Sequence, residues 1–190
     1  MSASAGFYFD LQSPLAYLAA ERVLHTLPGP AEWRPVLACE LPDRRELDAS
    51  EREEIAARAR DLGLQPLRWP ASFPFDSELA MRAATYAKSI GRVVPFAQAA
   101  FRQAFAGGRD LAQLDNVLIA AAACEMHPSA VVRGTELRSV ATQLADATSA
   151  AIDAGVRAAP TIVVGGAVFA GERMIERAAE QMLASAAIAP

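Results

Sequence analysis

Gly6-Phe7-Tyr8-Phe9-Asp10-Leu11-Gln12-Ser13-Pro14 passes from strand to helix within a few residues. Gly6 to Leu11 is aromatic and alternating, the pattern of a short strand. Ser13 then offers an N-cap hydroxyl, and Pro14 fits the first helical position, where no backbone N–H is needed. Leu15, Leu18, Ala19, Arg22 and Val23 continue with helical spacing to about Thr26. Leu27-Pro28-Gly29-Pro30 is a turn, and Glu32 to Leu37 reads as a second strand that Pro35 pushes towards an edge or a bulge. Strand, helix and strand make a βαβ unit, expected to be parallel with a right-handed crossover.

Beyond this unit the pattern changes. Ser50 to Leu62 is a charged amphipathic helix, with a capping box expected from Ser50 and Glu53. Pro66 to Phe75 is an aromatic, proline-rich loop without periodicity. Helices are expected over about Ser77 to Ile90, Pro95 to Phe105, Leu111 to Cys124 and Gly134 to Ala154, punctuated by Gly107-Gly108 and His127-Pro128. No strand is expected between Leu41 and Ala154. Pro160 to Val164 is a strand of branched residues, Gly165-Gly166 a hairpin turn, Ala167 to Ala170 the return strand, and Glu172 to Ala186 a final helix. A helical block cannot pair with a sheet edge, so the flanking β segments complete one another's sheet. The order βαβ, helices, ββα is that of an α/β thioredoxin-like fold with a large all-helical insertion. The expected division is 1–40 and 155–190 for the thioredoxin-like domain and 41–154 for the insertion.

Composition bounds the function. The 190 residues are 53% hydrophobic, enough for a sizeable core. A formal net charge of −4 gives no electrostatic footprint for nucleic acid, and no Lys/Arg run suggests a membrane-surface patch. Met1 to Gly6 has no basic start, which argues against a secretory leader. The longest uncharged stretch, Ala158 to Gly171, is interrupted by Pro160 and a glycine pair and does not read as a membrane span. A cytoplasmic location is expected. Cys39 and Cys124 form no CxxC and are read as two buried thiols in a reducing compartment.

Ser13 is the first candidate for chemistry. At a helix start, free backbone N–H groups and the helix dipole favour negative charge, and a hydroxyl there can donate to a thiolate or carboxylate. Read alone it is an N-cap. There is no GxSxG elbow for a serine hydrolase, and His25 and His127 have no visible partners and cannot supply a metal site. Pro160 is the second candidate. A cis Ala159-Pro160 bond is expected from its place in the proposed fold, offering the backbone of Ala159 to an extended ligand.

Phe7-Tyr8-Phe9-Asp10, Ser13-Pro14 with Ala16-Tyr17-Leu18, Phe73-Pro74-Phe75-Asp76-Ser77, Ala159-Pro160-Thr161 and Glu172-Arg173-Met174 together resemble the 2-hydroxychromene-2-carboxylate isomerase family. That family is related to kappa-class glutathione transferases and, more distantly, to DsbA oxidoreductases. The likeness runs from about Gly6 to Leu183 with the motifs in order. It implies a glutathione site: Ser13 donating to the sulfur, Ala159 before the cis Pro160 pairing with the cysteinyl backbone, and Glu172, followed by Arg173, holding the γ-glutamyl ammonium. Asp76 stands near glutathione where the family carries an amide, and an added carboxylate opposes an anionic tripeptide. Arg44, Arg45, Arg52, Arg58 and Arg60 compete for the place of a lysine found over the glutathione in several members. Tyr17, Trp69 and Phe73 are candidate walls of an apolar substrate pocket.

The resemblance implies a glutathione-dependent isomerase whose bound thiolate adds reversibly to a conjugated aromatic 2-oxo acid. A kappa-like glutathione transferase or peroxidase, and a redox-inert DsbA-like protein that binds a thiol or an aromatic acid, are the alternatives. The missing CxxC excludes ordinary dithiol exchange in all three. A homodimer is expected from the resemblance.

Overall fold

A computed structural model describes residues 5–188; the outer bounds of the expected division and the reading of Met1 to Ser4 fall outside them. Four strands, β1 (Ala5–Phe9), β2 (Ala31–Pro35), β3 (Thr161–Val164) and β4 (Ala167–Ala170), form one sheet in the order β2-β1-β3-β4. β2 runs parallel to β1, β3 antiparallel to β1 and β4 antiparallel to β3. The chain therefore leaves the sheet after β2 and returns at β3, on the far side of β1. Pro35 ends β2 at a sheet edge, where its missing N–H removes no ladder bond.

Between the two visits lie α2 (Ala49–Asp61), α3 (Glu78–Ser89), α4 (Val93–Phe105), α5 (Leu114–Ala122), α6 (Pro128–Glu136) and α7 (Arg138–Asp153). α1 (Pro14–Thr26) joins β1 to β2, and α8 (Ile175–Ile188) closes the described chain. All five residues of β1 are buried, because both faces of the strand are covered. Alternation sends Phe7 and Phe9 to one side, where they meet Trp33 and the α4 residue Phe101. Tyr8 faces the other side with Val36, Ala151 and Val156. Each such apolar side chain contributes about 1.5–3 kcal/mol by leaving water.

Local signals explain most boundaries. Ser13 is the N-cap of α1, with Pro14 at its first position. Gly165 and Gly166 have φ of 55° and 86°, the positive values that a two-residue hairpin turn of this kind requires. Both Phe73-Pro74 and Ala159-Pro160 are cis.

Four expectations need correction. The capping box of α2 is Asp48 with Glu51, not Ser50 with Glu53: Asp48 Oδ1 accepts from Glu51 N–H at 2.8 Å and Glu51 Oε2 from Asp48 N–H at 3.0 Å. The same spacing occurs two residues earlier, and the helix that starts there buries Ile55 and Ala59. The expected helix from Gly134 is two helices, α6 and α7, separated at the extended residue Leu137. Gly134 is not a helix start; it sits within α6 because a Cβ there would come 2.5 Å from the ring of Tyr86 in α3. α8 is preceded by a 3₁₀ turn, Glu172–Met174, rather than beginning at Glu172. Cys39 is exposed, on a 3₁₀ turn over Ala38–Glu40, while Cys124 is buried as expected.

Candidate functional site

The site is built around Asp10, the residue after β1. It is fully buried, and its two oxygens collect three donors from three separate parts of the chain. Oδ1 accepts from Gln12 N–H at 2.8 Å; Oδ2 accepts from Ala38 N–H at 2.7 Å and from the Ser77 hydroxyl at 3.0 Å. The Gln12 amide in turn donates to the Phe75 carbonyl. One carboxyl thus gathers the start of α1, the turn after β2 and the approach to α3. Among the described residues no cation accompanies it, and burial raises its pKa, against the lowering effect of the three donors.

Above this base, Ser13 Oγ accepts from Ala16 N–H at 3.2 Å, as an N-cap does, and donates to the Ala159 carbonyl oxygen at 3.1 Å. The first turn of α1 therefore meets the backbone that enters β3. Among the described residues, neither the Ala159 N–H nor the Leu15 N–H of the first helical turn has a hydrogen-bond acceptor.

These groups open onto a cavity of about 760 Å³. Its walls come from the start of α1, from the segment 37–47, from 73–78 and from the 158–160 and 170–171 turns. Ser13, Phe73, Asp76, Ala159 and Pro160 all line it, so these expected site residues, distant in sequence, are brought together. Of the five competing arginines, Arg44 and Arg45 line it. Arg45 is paired with Glu51, and Arg44 has no ion-pair partner among the described residues.

Four other expected site residues stand elsewhere. Tyr17 is one helical turn beyond Ser13, but Phe105 stacks on it with centroids 5.8 Å apart, and it borders a separate groove with Glu21 and Arg102. Burial, and then the Glu21 carboxylate, raise the Tyr17 pKa. Trp69 packs edge-on against Phe73 and Phe105, under the Arg52 guanidinium, and stiffens the cavity wall from behind. Glu172 does not face the cavity. Its side chain is 2% exposed, with Oε2 held by Arg22 at 2.6 Å and Oε1 by Arg58 at 2.9 Å. Arg173 is exposed, 3.8 Å from that carboxylate.

Residues that sequence reasoning passed over matter as much. Asp10 entered the sequence reading only as the last residue of the Phe7-Tyr8-Phe9-Asp10 motif, with no role assigned. Cys39 lines the cavity beside Ala38, and burial, then Asp10 and Glu40, raise its thiol pKa. Among the described residues there is no group of three or more side chains able to hold a metal ion, and no helix long and apolar enough to cross a membrane.

A family model, the DSBA-like thioredoxin domain, matches residues 6–183. The chain belongs to this family. As a DSBA-like domain it carries Ser13-Pro14-Leu15-Ala16 at the start of α1, with no cysteine there. No curated protein matches the sequence. Among solved structures, it is similar to a 2-hydroxychromene-2-carboxylate isomerase (TM-score 0.82, 18% identity, 96% of this chain and 97% of that one). It is also similar to a probable DsbA oxidoreductase from Streptomyces coelicolor (TM-score 0.77, 16% identity, 99% and 92% covered). A third similar structure is the cytosolic disulfide reductase DsbM from Pseudomonas aeruginosa with GSH (TM-score 0.64, 12% identity, 97% and 98% covered). At these identities the likeness is one of fold, including the thioredoxin-like sheet and the helices inserted into it.

Proposed function

We propose that this DSBA-like chain is a thiol-dependent isomerase of the 2-hydroxychromene-2-carboxylate type, with glutathione as the thiol its resemblance implies. The observation that carries the reading is Ser13. It stands at the start of α1, opposite the cis Ala159-Pro160 bond, in a cavity large enough for a small thiol and an aromatic acid. A hydroxyl in that place can stabilise a sulfur anion but cannot form a mixed disulfide, so the nucleophile has to come from a ligand. The likeness to a solved isomerase of that type, and to a DsbM structure with GSH, supports the same reading.

The sulfur end of such a ligand fits the residues present. When bound, the thiol supplies the nucleophile that adds reversibly to a conjugated carbon of an aromatic 2-oxo acid, letting a double bond turn as a single bond before it re-forms. Ser13 keeps its bond from Ala16 N–H and turns its own proton from the Ala159 carbonyl to the sulfur. The free Leu15 N–H and the positive end of α1 favour the anion. Ala159, released from Ser13, presents both its N–H and its carbonyl to an extended ligand backbone. Phe73 supplies an apolar wall, and Arg44 a cation for the substrate carboxylate.

Conversion of 2-hydroxychromene-2-carboxylate, followed by absorbance with and without added glutathione, tests the proposal. Strong stimulation by the thiol that Ser13→Ala largely removes is the expected result. Turnover that ignores the thiol, or survives Ser13→Ala intact, overturns it.

A further inference from the structure

The charge around the cavity is not that of a receptor for an anionic peptide. Five carboxylates line it, from Glu40, Asp43, Glu46, Asp76 and Glu78, against the guanidinium groups of Arg44 and Arg45. Asp43 is neutralised by Arg157, through bonds of 3.0 and 2.7 Å, and Glu78 by Arg82 at 2.5 Å. Arg45 is occupied by Glu51. That leaves Glu40, Glu46 and Asp76 without an ion-pair partner among the described residues, facing Arg44 alone. Asp10 lies beneath them, buried and without a cation.

Glutathione presents two carboxylates and one ammonium outside its thiol. Arg44 is already assigned to the substrate carboxylate, so both carboxylates of the tripeptide meet like charge. The acid that resemblance assigns to the ammonium, Glu172, has both oxygens taken by Arg22 and Arg58 and faces away from the cavity. The positive end of α1 does not compensate, because its influence fades within the first turn, where the sulfur sits. The molecule is thus arranged for a dipolar ligand, negative at the inner sulfur and neutral or positive towards the rim.

On the thiol reading given above, we infer that the physiological thiol carries no carboxylate: it is an aminothiol-type ligand, uncharged or cationic away from its sulfur. Glutathione can still support the reaction proposed above, but binds less tightly than a thiol that the charge of the cavity fits. The rim carboxylates line one cavity, and at low ionic strength, where screening is weak, masking the ligand's carboxylates has its largest effect.

Calorimetric titration of the full chain at low ionic strength with glutathione and with glutathione diethyl ester isolates this effect, since the ester is the same tripeptide with both carboxylates masked. The ester is expected to bind about tenfold more tightly or better, and added salt to narrow the gap. In a Glu46→Gln, Asp76→Asn double variant, shown to be folded by circular dichroism, the gap should shrink to about twofold. An ester that binds no better than glutathione overturns the inference and leaves the thiol reading standing. An ester advantage unchanged in the double variant belongs to the added ethyl groups, and overturns it as well. Silence from both ligands and from cysteamine overturns the thiol reading itself, and this inference with it.

Discussion

The Ser13 hydroxyl donates to the carbonyl oxygen of Ala159, a residue 146 positions further along the chain, across 3.1 Å. The same Oγ accepts from Ala16 N–H, so a single atom both caps α1 and ties it to the entry of β3. Only its proton is free to change partner. A ligand that takes this proton leaves the cap intact and unties the two segments.

Replacing Ser13 by Cys, in a Cys39→Ser background, reads the electrostatics of this position directly. The new sulfur should titrate below the ~8.5 of a free cysteine, because the start of α1 favours its anion. The pH dependence of its reaction with iodoacetamide gives the midpoint. A value at or above that of free cysteine would mean that α1 lends a thiolate no support. Ser13→Ala should also cost about 1 kcal/mol of stability through the lost cap, measurable by denaturant unfolding.

Asp10 makes a prediction about pH. Burial raises its pKa in the folded protein above 3.8. A carboxyl raised on folding holds its proton more tightly in the native state, so its contribution is fully present below the unfolded pKa and is lost as pH rises through the folded one. Asp10→Asn cannot titrate. The stability difference, wild type minus variant, should therefore fall as pH rises above about 4. Urea unfolding over a pH series checks the sign; a difference that grows with pH would show that the three donors outweigh burial.

Glu172→Gln leaves two arginines beside a buried neutral group. Arg22 is only 13% exposed and, although it keeps the Glu176 carboxylate, it loses the buried one, so the loss should be about 3 kcal/mol. Arg58 is more exposed and recovers water, which keeps the loss at the lower end of that range. Glu172→Asp, too short to reach both, should fall between. A loss below about 1 kcal/mol would mark the network as a surface-type pair.

These residues also show what the sequence could and could not say. The βαβ unit, the α1 cap and the Gly165-Gly166 hairpin were legible because each is written in neighbouring residues. The cis Ala159-Pro160 bond was legible only once the fold had been inferred. Asp10 was not, since its donors come from residues 12, 38 and 77 and no spacing announces that they meet. Tyr17 shares a helix face with Ser13, which pointed it at the cavity, but Phe101 and Phe105 of α4 cover it. Trp69 was read with Phe73 as a pocket wall; it packs on Phe73, and only Phe73 lines the cavity. Glu172 lies at the expected place in the chain, and what turned it away was a pair of arginines from α1 and α2.

Cys39 and Cys124 should behave differently towards alkylation. Cys39 is exposed and should react in the native protein, though more slowly at neutral pH than a free thiol, because burial, Asp10 and Glu40 raise its pKa. Cys124 should react only after unfolding. Mass spectrometry of native and denatured samples separates the two. An adduct on Cys39 also occupies the cavity and should abolish thiol binding; binding that survives full modification would place the ligand elsewhere.

The cavity has no single owner in the chain. Its walls are drawn from five segments between residues 12 and 171, and the helices between β2 and β3 must all be threaded before its two sides face each other. Occupancy is therefore linked to the folding of nearly the whole chain. A ligand that binds it raises the melting temperature with its concentration, by RT ln(1 + [L]/Kd) in free energy, even when no reaction is known. Thermal shift across a library of small thiols, each at the same concentration, thus turns an architectural fact into a search for the thiol partner: the molecule that stabilises the fold most is the one bound most tightly.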